Sequence, residues 1–357
     1  MGVDGLMDVR AVDYHAAGEP FRIVLDGAPT IPGDSVAERR AIALGAGGSA
    51  TAPRPSALDA VRQLLVREPR GHAGMYGGFL VPPDDDEAHL GVLFWHKDGY
   101  STACGHGTIA LGAWAVDSGL VPAPADGVAR VRIDVPSGRV TALVQRSGGR
   151  TTGVTFRNVP SRVSALKLPV TTSRGVVEVA VAHSGACYAS VPAAALGLAV
   201  EPGQLPELTA AGREIRALLA DSEAVAHPTD ARLSGVYGVV LYDELPSADG
   251  VLSQRNVVVF ADGQIDRSPC GSGTSARLAV LAAEGRLAPG EELRHESIIG
   301  TVFTGRVLPG GDPPPAWRLG GAPREGVVTE VGGTAFRTGE HRFVLEPGDS
   351  LGTGFLL

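Results

Sequence analysis

Cys104-Gly105-His106-Gly107-Thr108 and Cys270-Gly271-Ser272-Gly273-Thr274 are near-copies of one pattern, one in each half of a 357-residue chain. Each runs into apolar residues at helical spacing: Ile109, Leu111, Trp114 and Val116 in the first, Ala276, Leu278, Leu281 and Ala282 in the second. The spacing predicts a loop entering a helix, with the cysteine at or just before the first turn. Unpaired N–H groups and the helix dipole make such a start a site for an anion. It can lower a thiol pKa from about 8.5 toward neutrality, or hold a substrate carboxylate. The glycines let a ligand approach the backbone. A single copy reads better as a buried cysteine in a tight turn. Two copies with matched helices favour a pair of thiols working on opposite faces of one substrate.

Working outward, β-branched runs at Phe21–Leu25, Val131–Val135, Val176–Val181, Val236–Leu241 and Asn256–Phe260 predict strands. Ser56, with Asp59 three residues on, opens a helix that presents Val61, Leu64 and Leu65 on its apolar face, and a second helix is expected over Glu207–Ala220. Strand-rich stretches around one central helix per half point to a repeated α+β domain. The seam is expected near Pro160–Val170. This gives a first half over residues 1–165, completed by 343–357, and a second half over 166–342. Gly45–Arg54 and Pro309–Glu325 are Gly- and Pro-rich surface excursions.

A net charge of −8 argues against nucleic-acid or anionic-membrane partners. No apolar stretch approaches the roughly 20 residues of a membrane span. Three cysteines and an N-terminus lacking the order of a signal peptide make the cytoplasm the expected location, with the thiols reduced. The nine histidines are scattered without metal-ligand spacing, so no metal is expected. Pyridoxal phosphate needs a lysine, and the two present, Lys97 and Lys167, have no phosphate cradle beside them. No cofactor is expected.

Two opposed cysteines, one thiolate and one thiol, suit proton removal and return at a carbon α to a carboxylate. His106 either tunes Cys104 and orients a ligand, or is a turn histidine. Asp266 would raise a neighbouring thiol's pKa. It is accounted for either by a substrate ammonium or by local turn bonding.

Glu68-Pro69-Arg70-Gly71-His72, the first cysteine motif and Asp266-Arg267-Ser268-Pro269-Cys270-Gly271-Ser272-Gly273-Thr274 resemble the signatures of the proline racemase family. The resemblance runs from Asp13-Tyr14-His15 to Gly354-Phe355-Leu356. It implies the diaminopimelate-epimerase-like fold: two pseudo-symmetric domains, each a curved sheet around a central helix, with the active site in the cleft between them. It implies Cys104 and Cys270 as the acid/base pair and the amides of Gly105, His106, Gly271 and Ser272 as carboxylate ligands. It also implies Asp266 with His106 at the substrate's ring nitrogen, and Tyr76, Phe94 and Phe260 as an aromatic lining. The expected ligand is a small cyclic amino acid, and a homodimer is suggested by the resemblance alone. The expected reaction is cofactor-independent inversion of the α-carbon of proline or a hydroxyproline. The alternative is dehydration of trans-3-hydroxy-L-proline, whose branch typically has threonine where this chain has Cys270. Ala16, Gly74 and Ser184-Gly185-Ala186-Cys187 depart from the family pattern. Loss of the threonine and aspartate side chains is expected to loosen the loop carrying His72 and Met75, and Cys187 to alter the pocket.

Overall fold

Ser56 takes the amide of Asp59 on its hydroxyl and starts a helix over Ala57–Val66, as its sequence predicts. The structure is a computed structural model that describes residues 7–45, 56–310, 317–319, 322–324 and 326–357. Most of the Gly45–Arg54 and Pro309–Glu325 excursions lies outside the described residues.

The chain begins β1 (Met7–Ala16), β2 (Glu19–Asp26), α1 (Val36–Ala43), α2 (Ala57–Val66), β3 (Gly77–Val81), β4 (Leu90–His96) and β5 (Gly99–Tyr100). It continues α3 (Gly105–Asp117), β6 (Gly127–Val135), β7 (Gly138–Ser147) and β8 (Arg150–Arg157). Next come β9 (Arg162–Thr172), β10 (Gly175–His183), β11 (Cys187–Pro192), α4 (Leu205–Leu218), β12 (Val236–Ala248), β13 (Val251–Phe260) and β14 (Gln264–Asp266). The last elements are α5 (Gly271–Ala283), β15 (Glu292–Ser297), β16 (Val302–Val307), the small hairpin β17 (Trp317–Leu319) and β18 (Ala322–Arg324), β19 (Thr329–Gly333) and β20 (Ala335–Leu345). All five strands expected from β-branched runs fall inside observed strands.

Strand pairing follows one rule twice. From one edge the order is β20-β1-β2-β3-β4-β6-β7-β8, with pairings antiparallel, antiparallel, parallel, antiparallel, parallel, antiparallel, antiparallel. From the other it is β9-β10-β11-β12-β13-β15-β16-β19, with the same sequence of pairings. The two ladders join where β8 pairs with β19. The edge strand of the first ladder is encoded last: β20 crosses the whole chain to pair with β1.

Each ladder wraps one central helix and carries others on its outer face. The buried run of β4 shows why. Val92 and Phe94 pack inward with Ile109 and Ala113 of α3, whereas Leu93 and Trp95 pack outward with Leu64 and Leu65 of α2. A strand covered on both sides reads as a continuous apolar run. In the second ladder Val257 and Val259 pack outward with Leu208 and Ile215 of α4, and Val258 packs inward with Ala276 and Ala279 of α5. Helices α3 and α5 are buried on nearly every face, even at the Arg277 that α5 carries. Gly112 sits so close to β7 that a Cβ there would lie 2.5 Å from the Ala142 Cβ.

Candidate active site

Cys104 and Cys270 are the N-caps of α3 and α5. Each sulfur accepts the amide of the residue three on, Gly107 or Gly273, at 3.3 Å. Thr108 N and Thr274 N close onto the cysteine carbonyls at 3.0 and 2.7 Å. The first two amides of each helix, Gly105 and His106 in α3 and Gly271 and Ser272 in α5, have no partner within their helix by geometry. The two helices meet tip to tip: a Cβ built on Gly105 would lie 2.5 Å from Gly271 Cα and 2.7 Å from Ser272 N. One built on Gly271 would lie 2.7 Å from Gly105 Cα. The backbones of the two tips are therefore in direct contact, each immediately after its cysteine. Ser184 Oγ donates to Ser272 O at 2.7 Å and steadies the second tip.

Cys270 holds its place by unusual means. Its φ of 62° is in the left-handed region, uncommon outside glycine. Ser268 fixes it: the Cys270 amide donates to Ser268 Oγ at 3.0 Å, and that hydroxyl donates to Asp266 Oδ1 at 2.7 Å. Asp266 Oδ1 also takes the Ser268 amide, while Oδ2 stands 3.8 Å from His106 Nδ1. His106 in turn lies 3.5 Å from Cys104 Sγ. Burial pushes the His106 pKa down to about 3, so the ring is neutral and its contact with Asp266 is not an ion pair.

Burial also pushes both thiols well above the ordinary cysteine range, and Asp266 adds to the upward shift at each. The capping amides act the other way and are outweighed. The expected lowering toward neutrality is thus not the state of the enclosed protein, because desolvation of a thiolate exceeds what one amide returns.

Among the expected aromatics, Tyr76 stands edge-on to His106 at 4.9 Å between ring centroids, and Phe260 lies 6.0 Å from Tyr76. Phe94 is fully buried one layer back, edge-on to Phe21, which in turn meets His106. Three further tyrosine and serine hydroxyls reach this region. Tyr76 OH bonds both Ser101 Oγ and Tyr237 OH, the latter at 2.9 Å, and Tyr188 OH is 3.8 Å from Cys270 Sγ.

Over residues 11–356 the sequence matches the family described as proline racemase. The chain belongs to the proline racemase family. Trans-3-hydroxy-L-proline dehydratase of Bacillus cereus is 40% identical over 346 residues, 97% of each chain. The 3-hydroxyproline 2-epimerase of Burkholderia multivorans is 39% identical over 350 residues, 98% of each chain. A crystal structure of a hydroxyproline epimerase from Agrobacterium vitis with bound trans-4-hydroxy-L-proline superposes with a TM-score of 0.86 at 31% identity, covering 98% of this chain and 95% of that one. This chain is accordingly an enzyme of the proline racemase family, with the α+β fold that the resemblance implies.

The departures of this proline racemase family enzyme have definite surroundings. Cys187 does not face the thiols. It packs with Val181 and Ala189 and borders a solvent-open cavity beside Ala186 and Val236, while its neighbour Tyr188 points to Cys270 from the other face of β11. Gly74 leaves room for Arg267, whose Nη1 would lie 2.6 Å from a Cβ there. Arg267 Nη2 donates to Gly74 O at 2.8 Å and Gln264 Nε2 to Ala73 O at 2.6 Å, so residues from the second ladder hold the loop expected to loosen. Arg267 also pairs with the fully buried Glu19 at 2.9 Å. Ala16 is enclosed in the inner core.

Sequence reading missed Tyr188, Tyr237, Ser268 and the Glu19–Arg267 pair. Ser268 and Arg267 sat inside a quoted motif, but nothing local shows that Ser268 bonds the next cysteine's amide. Lys97 pairs with Asp98 at 2.7 Å, and Lys167 is exposed. Among the described residues no three His, Cys, Asp or Glu side chains gather closely enough to hold a metal, and no helix is long and apolar enough to cross a membrane.

Four buried imidazoles make the fold sensitive to acid. Burial lowers His96, His106 and His295 to about 3 and His183 to about 4. Their folded pKa values lie below the unfolded value of about 6.5. Their contribution to stability is present above about 6.5 and is lost as pH falls toward 3, because the unfolded chain binds the protons first. Thermal unfolding followed against pH should show Tm falling across that window, with a shallower fall in His295→Gln. A Tm that stays flat on acidification through this window would contradict the buried neutral rings.

Proposed function

We propose that this enzyme inverts the α-carbon of proline or a hydroxyproline by proton transfer between Cys104 and Cys270. The observation that carries the reading is the pair of thiols capping two helices whose tips touch. A substrate carboxylate fits the amides of Gly105, His106, Gly271 and Ser272, where two helix dipoles favour negative charge and the developing enediolate. The ring nitrogen would face His106 and Asp266, with Tyr76 and Phe260 beside the ring. One thiolate takes the α-proton and becomes a thiol. The opposite thiol gives its proton to the other face and becomes the thiolate. The protein then stands ready for the reverse inversion. The starting thiolate forms by release of one thiol proton to solvent, and an arriving substrate ammonium offsets part of the desolvation that opposes it.

Dehydration of trans-3-hydroxy-L-proline is the second reading, supported by the relatives bearing that name. It needs one base for the α-proton and departure of the 3-hydroxyl, and no thiol on the far face. Proton NMR in D₂O with L-proline, trans-4-hydroxy-L-proline and trans-3-hydroxy-L-proline separates the two. The expected outcome is loss of the α-proton signal with growth of the C2 epimer. Loss of the 3-hydroxyl instead would establish the dehydratase reading, and no exchange with any of the three would overturn both.

A further inference from the structure

A cavity of about 520 Å³ opens to solvent between the two halves of the chain, with Ser101 on one side and Tyr237 on the other. Its Tyr237 wall is shared with the aromatic shell around the thiols. Tyr237 OH bonds Tyr76 OH, and the Tyr237 ring stands edge-on to Tyr188 at 5.8 Å, with the Tyr188 hydroxyl beside Cys270. Its charged lining is unbalanced. Asp98 is answered by Lys97 at 2.7 Å, Asp262 by Arg213 at 2.8 Å, and Arg232 by Asp230 at 2.6 Å. Arg40 and Arg216 have no carboxylate partner among the described residues. Arg40 donates through Nε and Nη2 to Tyr100 O, and Arg216 to Val236 O and Ala261 O. Carbonyls fix a guanidinium in place without neutralising it, and each guanidinium keeps unused N–H groups. Two fixed cations at one opening of a chain with net charge −8 form a local attractor for small anions.

We propose that this cavity is the approach to the thiols and a waiting site for small carboxylates, held by Arg40 and Arg216 before Tyr237 gives way. The inference rests on the reading that the thiols act on a carboxylate substrate. It is tested without turnover, by alkylating the full chain with iodoacetate or with neutral iodoacetamide and following Cys104 and Cys270 by mass spectrometry. In both reactions the thiolate displaces iodide, a C–S bond forms and the thiol's proton goes to buffer. The helix amides act equally on all variants and cancel in the comparison. At about 0.01 M salt, the iodoacetate-to-iodoacetamide rate ratio should fall about five- to tenfold in R40Q/R216Q. It should recover in R40K/R216K, and the variants should converge on the wild type at about 1 M salt, where screening is strong. An unchanged ratio in R40Q/R216Q, or an equal fall in the lysine variant, would overturn the proposal. If no proline derivative turns over, the proposed function fails while this ratio still reads the cavity.

Discussion

Cys270→Ser should lower epimerisation by about 10²–10⁴-fold, the usual contribution of a positioned acid or base, while the protein stays folded. Serine is a favoured N-cap and can accept the Gly273 amide as the thiol does. The Ser268 bond to the Cys270 backbone is untouched by the change. What is lost is the proton chemistry: an alcohol at that site neither holds a thiolate nor delivers a proton at a useful rate. With Cys104 intact, one enantiomer should still wash its α-proton into D₂O without inverting, because the remaining thiol removes and returns it on the same face. Cys104→Ser should do the same for the other enantiomer. NMR on both enantiomers checks this directly. Inversion at the wild-type rate in either variant would remove the two-thiol mechanism, and a dehydration that survives in Cys270→Ser would favour the one-base reading.

What the sequence makes legible is whatever repeats locally. The Ser56 cap, the β-branched strands and the two cysteine-led helices are determined within about ten residues by periodicity and capping chemistry. The pairing of β20 with β1 is not, because the edge strand of the first ladder is written at the far end of the chain. Tyr188 and Tyr237 were missed for the same kind of reason. They lie on β11 and β12 and reach the thiols only because the sheet curls around α5. Cys187 lines the solvent-open cavity and its neighbour Tyr188 reaches Cys270, because in a strand one residue is the difference between the two faces. Thiol acidity was misjudged because a helix start is visible in sequence whereas full enclosure is not. The tip-to-tip contact of α3 and α5 is a tertiary fact, but its condition, a glycine directly after each cysteine, stands in the motif.

That contact sets the second large effect. Gly105→Ala should reduce turnover by about 10²-fold, the typical penalty for a displacement near 1 Å in a reacting geometry. Helix propensity alone would favour alanine by about 1 kcal/mol. Space decides against it: the new methyl would lie 2.5 Å from Gly271 Cα and 2.7 Å from Ser272 N, and both are backbone atoms that no rotamer change can move aside. Overpacking of this kind costs about 1–3 kcal/mol, and the readiest relief is separation of the two tips. Gly271→Ala should act alike, since its Cβ would meet Gly105 Cα at 2.7 Å. Thermal unfolding and steady-state kinetics on both variants measure the two consequences separately. Wild-type turnover in both would mean that catalysis does not need the tips in contact. The physical reason to expect otherwise is electrostatic. Two helix N-termini facing each other bring like partial charges together, an arrangement the surrounding sheets hold in place and a bound carboxylate would relieve. Moving the tips apart would weaken the hold of one helix or the other on a carboxylate bound as proposed, and with it the symmetry that the proposed two-thiol reaction requires.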